Sequence, residues 1–191
     1  CLEYERHVEL QRRVEVFTFV YRLRRRLMQG ETVKLTGGTP DTGERPELVG
    51  EVALQQGRAL LMEGQLAESL RLVKRAVMAF QDADGHDATA RAQLEFGLVM
   101  LGREQISDAR DYFLLVAGAR EAELHTTLRA RIYETVCLFL QGRYSRVVES
   151  IEGHRRRLRE HGFDAWHLFI GFLEGRTLFE LGRYAEALSV F

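Results

Sequence analysis

Leu140-Gln141-Gly142-Arg143-Tyr144 and Leu181-Gly182-Arg183-Tyr184 share the phrase Gly-Arg-Tyr, repeated 40 residues apart. Leu61-Met62-Glu63-Gly64-Gln65-Leu66 and Leu101-Gly102-Arg103 are looser versions of it upstream. With Gly64, Gly102, Gly142 and Gly182 as the common point, the spacings are 38, 40 and 40 residues. Each glycine follows an apolar, helix-like run and opens another. A fixed period of about 20 to 50 residues marks a stack of supersecondary units, because one such unit cannot bury its apolar side alone.

Around these glycines the apolar residues recur at helical steps, and no stretch sustains the alternation of a strand. Helices are expected over residues 47–63, 65–82, 87–101, 105–121, 124–141, 143–160, 163–181 and from 183 to the end. Asp82-Ala83-Asp84-Gly85 and His161-Gly162 read as the breaks between one helical pair and the next. Upstream, residues 2 to 29 form one long basic helix in which Val8, Val14, Phe17, Val20 or Tyr21, Leu23 and Leu27 make the apolar stripe. Gly30 caps it. Thr36-Gly37-Gly38-Thr39-Pro40-Asp41-Thr42-Gly43-Glu44-Arg45-Pro46 is the one Gly/Pro/Thr-rich stretch. The organisation expected is therefore an N-terminal helix over 1–30, a flexible loop or linker over 31–46, and a repeat body over 47–191 with its last pair truncated.

Composition agrees with a packed helical body. Hydrophobic residues make up 46% of the 191, enough for a core, and both prolines, Pro40 and Pro46, precede the body. Lys plus Arg total 27 against 28 Asp plus Glu, a balance that argues against non-specific binding to nucleic acid or to anionic membrane. No apolar run is long enough to span a bilayer and no signal peptide is visible, so a cytoplasmic protein is expected. The cations are almost all arginine, with lysine only at Lys34 and Lys74 and no asparagine, as in a GC-rich or heat-adapted source. Cys1 and Cys137 make no disulfide framework, and the apolar neighbours of Cys137 mark it as a small core residue. The missing initiating Met and the end at Phe191 in mid-pattern suggest a piece of a larger protein.

In their turn glycines and the residues around them the repeats resemble the tetratricopeptide repeat (TPR) family. The last copy carries Gly175, Leu178, Gly182, Tyr184, Ala187 and Phe191 at the family's spacings, with Leu178 where an aromatic is usual. The first keeps Gly57, Leu60, Gly64, Leu66, Ser69, Val73 and Ala76. The third keeps Leu138, Gly142, Tyr144 and Ile151, with Thr135 and Val147 at small positions. In the second, Ala109 and Phe113 lie two residues too far from Gly102, which implies a longer turn. The resemblance implies an all-α, right-handed α-solenoid of antiparallel helical hairpins. A period near 40 is similar to the stretched repeats of large bacterial signalling and transcriptional regulators.

No catalytic constellation is visible, so no enzyme activity and no cofactor are expected. The six histidines are scattered without metal-ligand spacing. Asp82-Ala83-Asp84-Gly85-His86-Asp87 begins like a calcium loop, but its twelfth position is Gln93 rather than a bidentate Glu. Thr36-Gly37-Gly38 lacks the ending of a phosphate loop. Arg22, Arg24, Arg25 and Arg26, like Arg155, Arg156, Arg157 and Arg159, read as solvated helix ends favoured by the dipole.

What the resemblance implies instead is a groove lined by the first helix of each pair. Carried over residue by residue, it is expected to present Arg58, Met62, Phe96, Arg129, Phe139, Phe169, Phe172 and Arg176 to a protein or peptide partner. Glu51, Leu54, Leu61, Ala92, Val99, Ile132, Val136 and Phe179 accompany them. The expected function is a non-catalytic interaction scaffold. A peptide or small-ligand sensor, and a self-associating spacer that dimerises through an exposed solenoid end, are the alternatives.

Overall fold

The computed structural model describes residues 2–29 and 39–190. The expectations placed on Cys1, the Gly30 cap, residues 31–38 of the linker and Phe191 lie outside those residues. Among the described residues, regular structure is helical throughout. The helices are α1 (Leu2–Met28), α2 (Pro46–Met62), α3 (Leu66–Asp82), α4 (His86–Gly102), α5 (Ile106–Ala117), α6 (Leu124–Leu140), α7 (Tyr144–His161), α8 (Ala165–Glu180) and α9 (Tyr184–Val190).

The α2–α3, α4–α5, α6–α7 and α8–α9 links are of equal length, residues 63–65, 103–105, 141–143 and 181–183. The middle residue of each is left-handed: Gly64 (φ 75°), Glu104 (φ 63°), Gly142 (φ 71°) and Gly182 (φ 74°). The second turn is therefore no longer than the others, contrary to the expectation from sequence. Gly102 is the last residue of α4, and the left-handed position falls two residues on, at a glutamate. Counted from Glu104, Ala109 and Phe113 fall where Ser69 and Val73, and Val147 and Ile151, fall in their own pairs. Left-handed Asp84 (φ 52°) and Gly162 (φ 69°) lie in the α3–α4 and α7–α8 links. Pro46 opens α2, where its missing N–H and fixed φ cost nothing. One helix ends early: α5 stops at Ala117 instead of reaching 121, with Gly118 as its cap.

Small residues seven positions before each turn let the two helices of a pair close up. A Cβ on Gly97 would stand 2.6 Å from the Phe113 ring, and one on Gly57 would stand 2.6 Å from Val73. Ser69 Oγ, fully buried, donates to the Gly57 carbonyl at 2.7 Å, so its hydroxyl is not left unpaired. In the third pair Thr135 takes this place. Its hydroxyl proton goes to the Arg131 carbonyl at 3.0 Å, so Nε2–H of buried His154 must donate to Oγ1 at 2.8 Å. His154 Nδ1 is then a buried acceptor without a donor. Burial, with the charges of Arg157 and Arg131 behind it, pushes the His154 pKa down to about 4.

The core is serial. Val16, Val20 and Leu23 of α1 meet Leu48, Val52 and Ala59 of α2. Ala53, Leu54, Ala76, Phe80 and Ala92 join α2, α3 and α4. Leu94, Ala109, Phe113, Ala130 and Cys137 join α4, α5 and α6. Ile132, Val147, Ile151, Ile170 and Leu173 join α6, α7 and α8. Contacts run from each helix to the next and between α2 and α4, α4 and α6, and α6 and α8. Among the described residues no helices further apart in the chain touch.

α1 packs by part of the stripe its sequence suggests, with Val20, Leu23 and Leu27 on α2 and Val16 in place of Val14 and Phe17. Val16, Val20 and Leu23 are buried, while Leu10, Val14, Phe17 and Tyr21 are more than half exposed. The helix carries two apolar stripes, and α2 covers one. Residues 41–45 are held to α1 through Arg12–Asp41 at 2.8 Å and Arg45–Glu9 at 2.7 Å. The Gly43 N–H, then Arg12, hold the Asp41 carboxyl below its ordinary value. No helix among the described residues is long and apolar enough to cross a membrane.

Candidate functional site

A groove of about 840 Å³ crosses the chain from α1 through α2 and α4 to α6. Four arginines line it, one from each helix: Arg24, Arg58, Arg91 and Arg129. Each is held by a carboxylate. Arg58 Nη2 reaches Glu95 Oε1 at 2.7 Å, and Arg129 Nη2 reaches the same oxygen at 3.5 Å. Arg24 and Arg91 share Glu51, at 2.5 and 3.5 Å, and Arg91 also meets Asp87 at 3.3 Å. Charges thus run in alternation along the groove from α1 to α6.

Glu95 is the hub of this chain of charges. It is only 4% exposed, and a buried carboxylate persists as an ion only when it is paired. Two guanidinium groups on its flanks, Arg58 from α2 and Arg129 from α6, supply the pairing. Gln55 is fully buried beside it: Nε2 donates to Glu51 Oε1 at 3.1 Å, while Oε1 has no donor. His125, at the α6 end of the groove, is held below its ordinary pKa by burial and then by Arg129. Leu27, Leu61, Met62 and Leu98 give the groove its apolar floor and rim. Met62 is 61% exposed and free to be covered.

Of the residues selected from sequence, Arg58, Met62 and Arg129 line this groove together. Phe169 lies next to it, 6.5 Å between ring centroids from groove-lining Tyr133. Phe139 packs instead on Tyr144 and Phe96 on Tyr112, with centroids 5.5 and 4.6 Å apart, and neither lines the groove. Phe172 and Arg176 belong to a second cavity of about 500 Å³ on α8 and α9, with Phe179, Tyr184 and Leu188. There Arg176 pairs with Glu180 at 2.9 Å and lies over the Phe179 ring. Leu54, Ala92, Val99 and Ile132 are core residues, at most 1% exposed.

Arg91 and Leu98 were missed for one reason, whereas Glu95 takes the place of Gln55 and Tyr133 in their pairs, which the resemblance does not select. Measured from Glu104, Arg91 takes the place that Glu51 and Arg129 hold in their pairs, and Leu98 takes that of Arg58. Measured from Gly102, the choice shifts to Ala92, Phe96 and Val99, which face elsewhere. The spacing of Ala109 and Phe113 from Glu104 is the signal that would have found them. Each of the four groove arginines has an acidic partner from another helix. Among the described residues no group of three or more His, Cys, Asp or Glu side chains converges as metal ligands. Cys137, fully buried, has its thiol pKa pushed up to about 12 by burial and then by Glu134, so it is held as a neutral thiol.

Compared with models of known protein families, the chain matches none. It matches no curated protein either.

Proposed function

We propose that this chain is an α-solenoid of the TPR type, in which antiparallel helical hairpins stack into a right-handed superhelix and serve as a non-catalytic scaffold for protein interaction. In this reading α2, α4, α6 and α8 are the first helices of successive hairpins and supply the inner wall. The observation that carries it is the groove in which Arg24, Arg58, Arg91 and Arg129 present one guanidinium from each of four helices. An extended or helical peptide bearing carboxylates on one side and apolar side chains on the other matches that lining. Its carboxylates would share the arginines with Glu51 and Glu95, and its apolar side would cover Met62 and Leu61. The resemblance to stretched TPR repeats favours a place beside a signalling or transcriptional module of a bacterial regulator.

The test is selection of peptides from a displayed random library, followed by affinity measurements on Arg91→Ala and Met62→Ala. Both residues lie at the groove surface, so the fold is expected to survive their truncation. Selected peptides should be enriched in Asp and Glu and should lose about tenfold or more in affinity to Arg91→Ala, the equivalent of about 1.4 kcal/mol. Selected peptides indifferent to both substitutions would remove the groove from consideration. A sensor for a small ligand is the second reading, favoured by the unpartnered Oε1 of buried Gln55, which a ligand N–H would satisfy.

A further inference from the structure

Charge alone gives the groove little hold on an acidic ligand. Its lining brings Arg24, Arg58, Arg91 and Arg129 together with Asp87, Glu95 and Glu123, and Glu51 pairs with two of the arginines from beside it. Four cations thus meet four carboxylates. A ligand carboxylate that takes an arginine takes it from a carboxylate already there, so the exchange adds no ion pair. An uncharged buried group without a partner is a different matter, because pairing it adds a bond and breaks none within the protein.

Gln55 carries that group. Nine residues before left-handed Gly64, Glu104 and Gly142 stand Gln55, Glu95 and Tyr133. Glu95 Oε1 accepts from both Arg58 and Arg129, whereas Oε1 of fully buried Gln55 accepts from nothing. The Gln55 amide cannot be turned round, since Nε2 donates to Glu51 Oε1 at 3.1 Å and an oxygen there would face a carboxylate. Gln55 lines the groove and Glu51 does not, which leaves Oε1 as the end of the amide on the groove side. Arg91 is the side chain best able to uncover it. Its Nη2 lies 3.5 Å from Glu51, against 2.5 Å for Arg24, and its Nε keeps Asp87 at 3.3 Å when Nη2 swings away. That movement presents Arg91 to a ligand carboxylate beside the same Gln55.

The donor that fits is a main-chain N–H next to an acidic side chain. Within a helix the N–H groups beyond the first turn are bonded to its own carbonyls, so a helical peptide has none to give along most of its length. An extended peptide has one at every residue that is not proline. Granted the peptide groove proposed above, on which this step rests, we propose that the peptide lies extended, with a main-chain N–H donated to Gln55 Oε1 and an adjoining Asp or Glu carboxylate on Arg91. Gln55 is then the residue that selects the form of the peptide, and the arginines select its acidic side chains.

The probe is a fluorescently labelled acidic peptide from the displayed library, one that loses affinity to Arg91→Ala, remade with each main-chain N–H methylated in turn. Anisotropy titrations of the full chain should show one position at which methylation weakens binding at least about fivefold. In Gln55→Met, close in volume and lacking the acceptor, the same methylation should cost less than about twofold. A scan with no sensitive position, or an equal penalty in Gln55→Met, overturns the proposal, while dependence on Arg91 still keeps the peptide in the groove. A staple from i to i+4 that holds the peptide helical should abolish binding, and this tests the unaltered chain. A stapled peptide that binds as well or better overturns the proposal. Free glutamate in millimolar excess at matched ionic strength should not displace the peptide, and displacement would overturn it in favour of a small amino acid. If every selected peptide ignores both Arg91→Ala and Met62→Ala, the groove reading fails and the extended peptide with it.

Discussion

Glu104 occupies a left-handed turn position that three sister turns give to glycine, and replacing it should stabilise the protein. Its φ of 63° sets the Cβ against the backbone, at a cost of roughly 1–2 kcal/mol for a residue with a side chain. Glycine removes that strain but adds about 0.5–1 kcal/mol of unfolded-state entropy. Glu104→Gly should therefore gain about 0.75 kcal/mol at the centre of those ranges, or roughly 1.5–3 °C in Tm for a chain of this size. The mirror experiment is Gly142→Ala. A Cβ there meets nothing within 4 Å, so any loss comes from φ alone and should be about 1 kcal/mol. Gly102→Ala completes the set, because Gly102 ends a helix. Alanine gains up to about 1 kcal/mol of helix propensity there, against a contact of 3.1 Å to the flexible end of Leu66, and the net change should stay within about 0.5 kcal/mol. Urea denaturation with unchanged m-values measures all three. If Gly102→Ala costs as much as Gly142→Ala, or Glu104→Gly destabilises, the turn has been put at the wrong residue.

Two further outcomes are expected. His154 binds its proton at about 4 when folded and near 6.5 when unfolded, so the unfolded chain binds more protons between those values. Its contribution is intact above pH 6.5 and is lost as pH falls toward 4, by about 3 kcal/mol in all. His154→Leu should flatten that part of the stability–pH curve, and a curve equally steep in the variant would show that other groups cause it. Gly97→Ala puts a methyl 2.6 Å from the Phe113 ring, and overpacking of about 1–3 kcal/mol outweighs the helix-propensity gain of about 1 kcal/mol. Thermal unfolding should show a lower Tm, partly restored by Phe113→Leu, and a neutral result would mean that the pair can open without cost.

The helical character and most helix ends were legible in the sequence because periodic apolar residues, glycine turns and early prolines act locally. The second turn was misread because glycine is only the cheapest left-handed residue: Glu104 takes that conformation where its neighbours dictate it, and composition gives no sign of this. That two-residue error carried into the site, hiding Arg91 and Leu98 behind Ala92 and Phe96. The charge alternation was not readable at all. Glu95 meets Arg58 and Arg129 across sequence separations of 37 and 34, which only packed helices define. Val20 and Leu23 were readable in the α1 stripe, but the burial of Val16 in place of Val14 and Phe17 was not, since both sets recur at helical steps.

Contacts confined to adjacent and alternate helices also govern how this molecule assembles and comes apart. Closing short segments costs little chain entropy, so folding should be fast for its length and free to begin at any internal pair. Among the described residues α1 and α9 each pack on one helix alone, and amide exchange in this chain should be least protected there, with slower exchange toward α4, α5 and α6. A blow at one end need not be felt at the other.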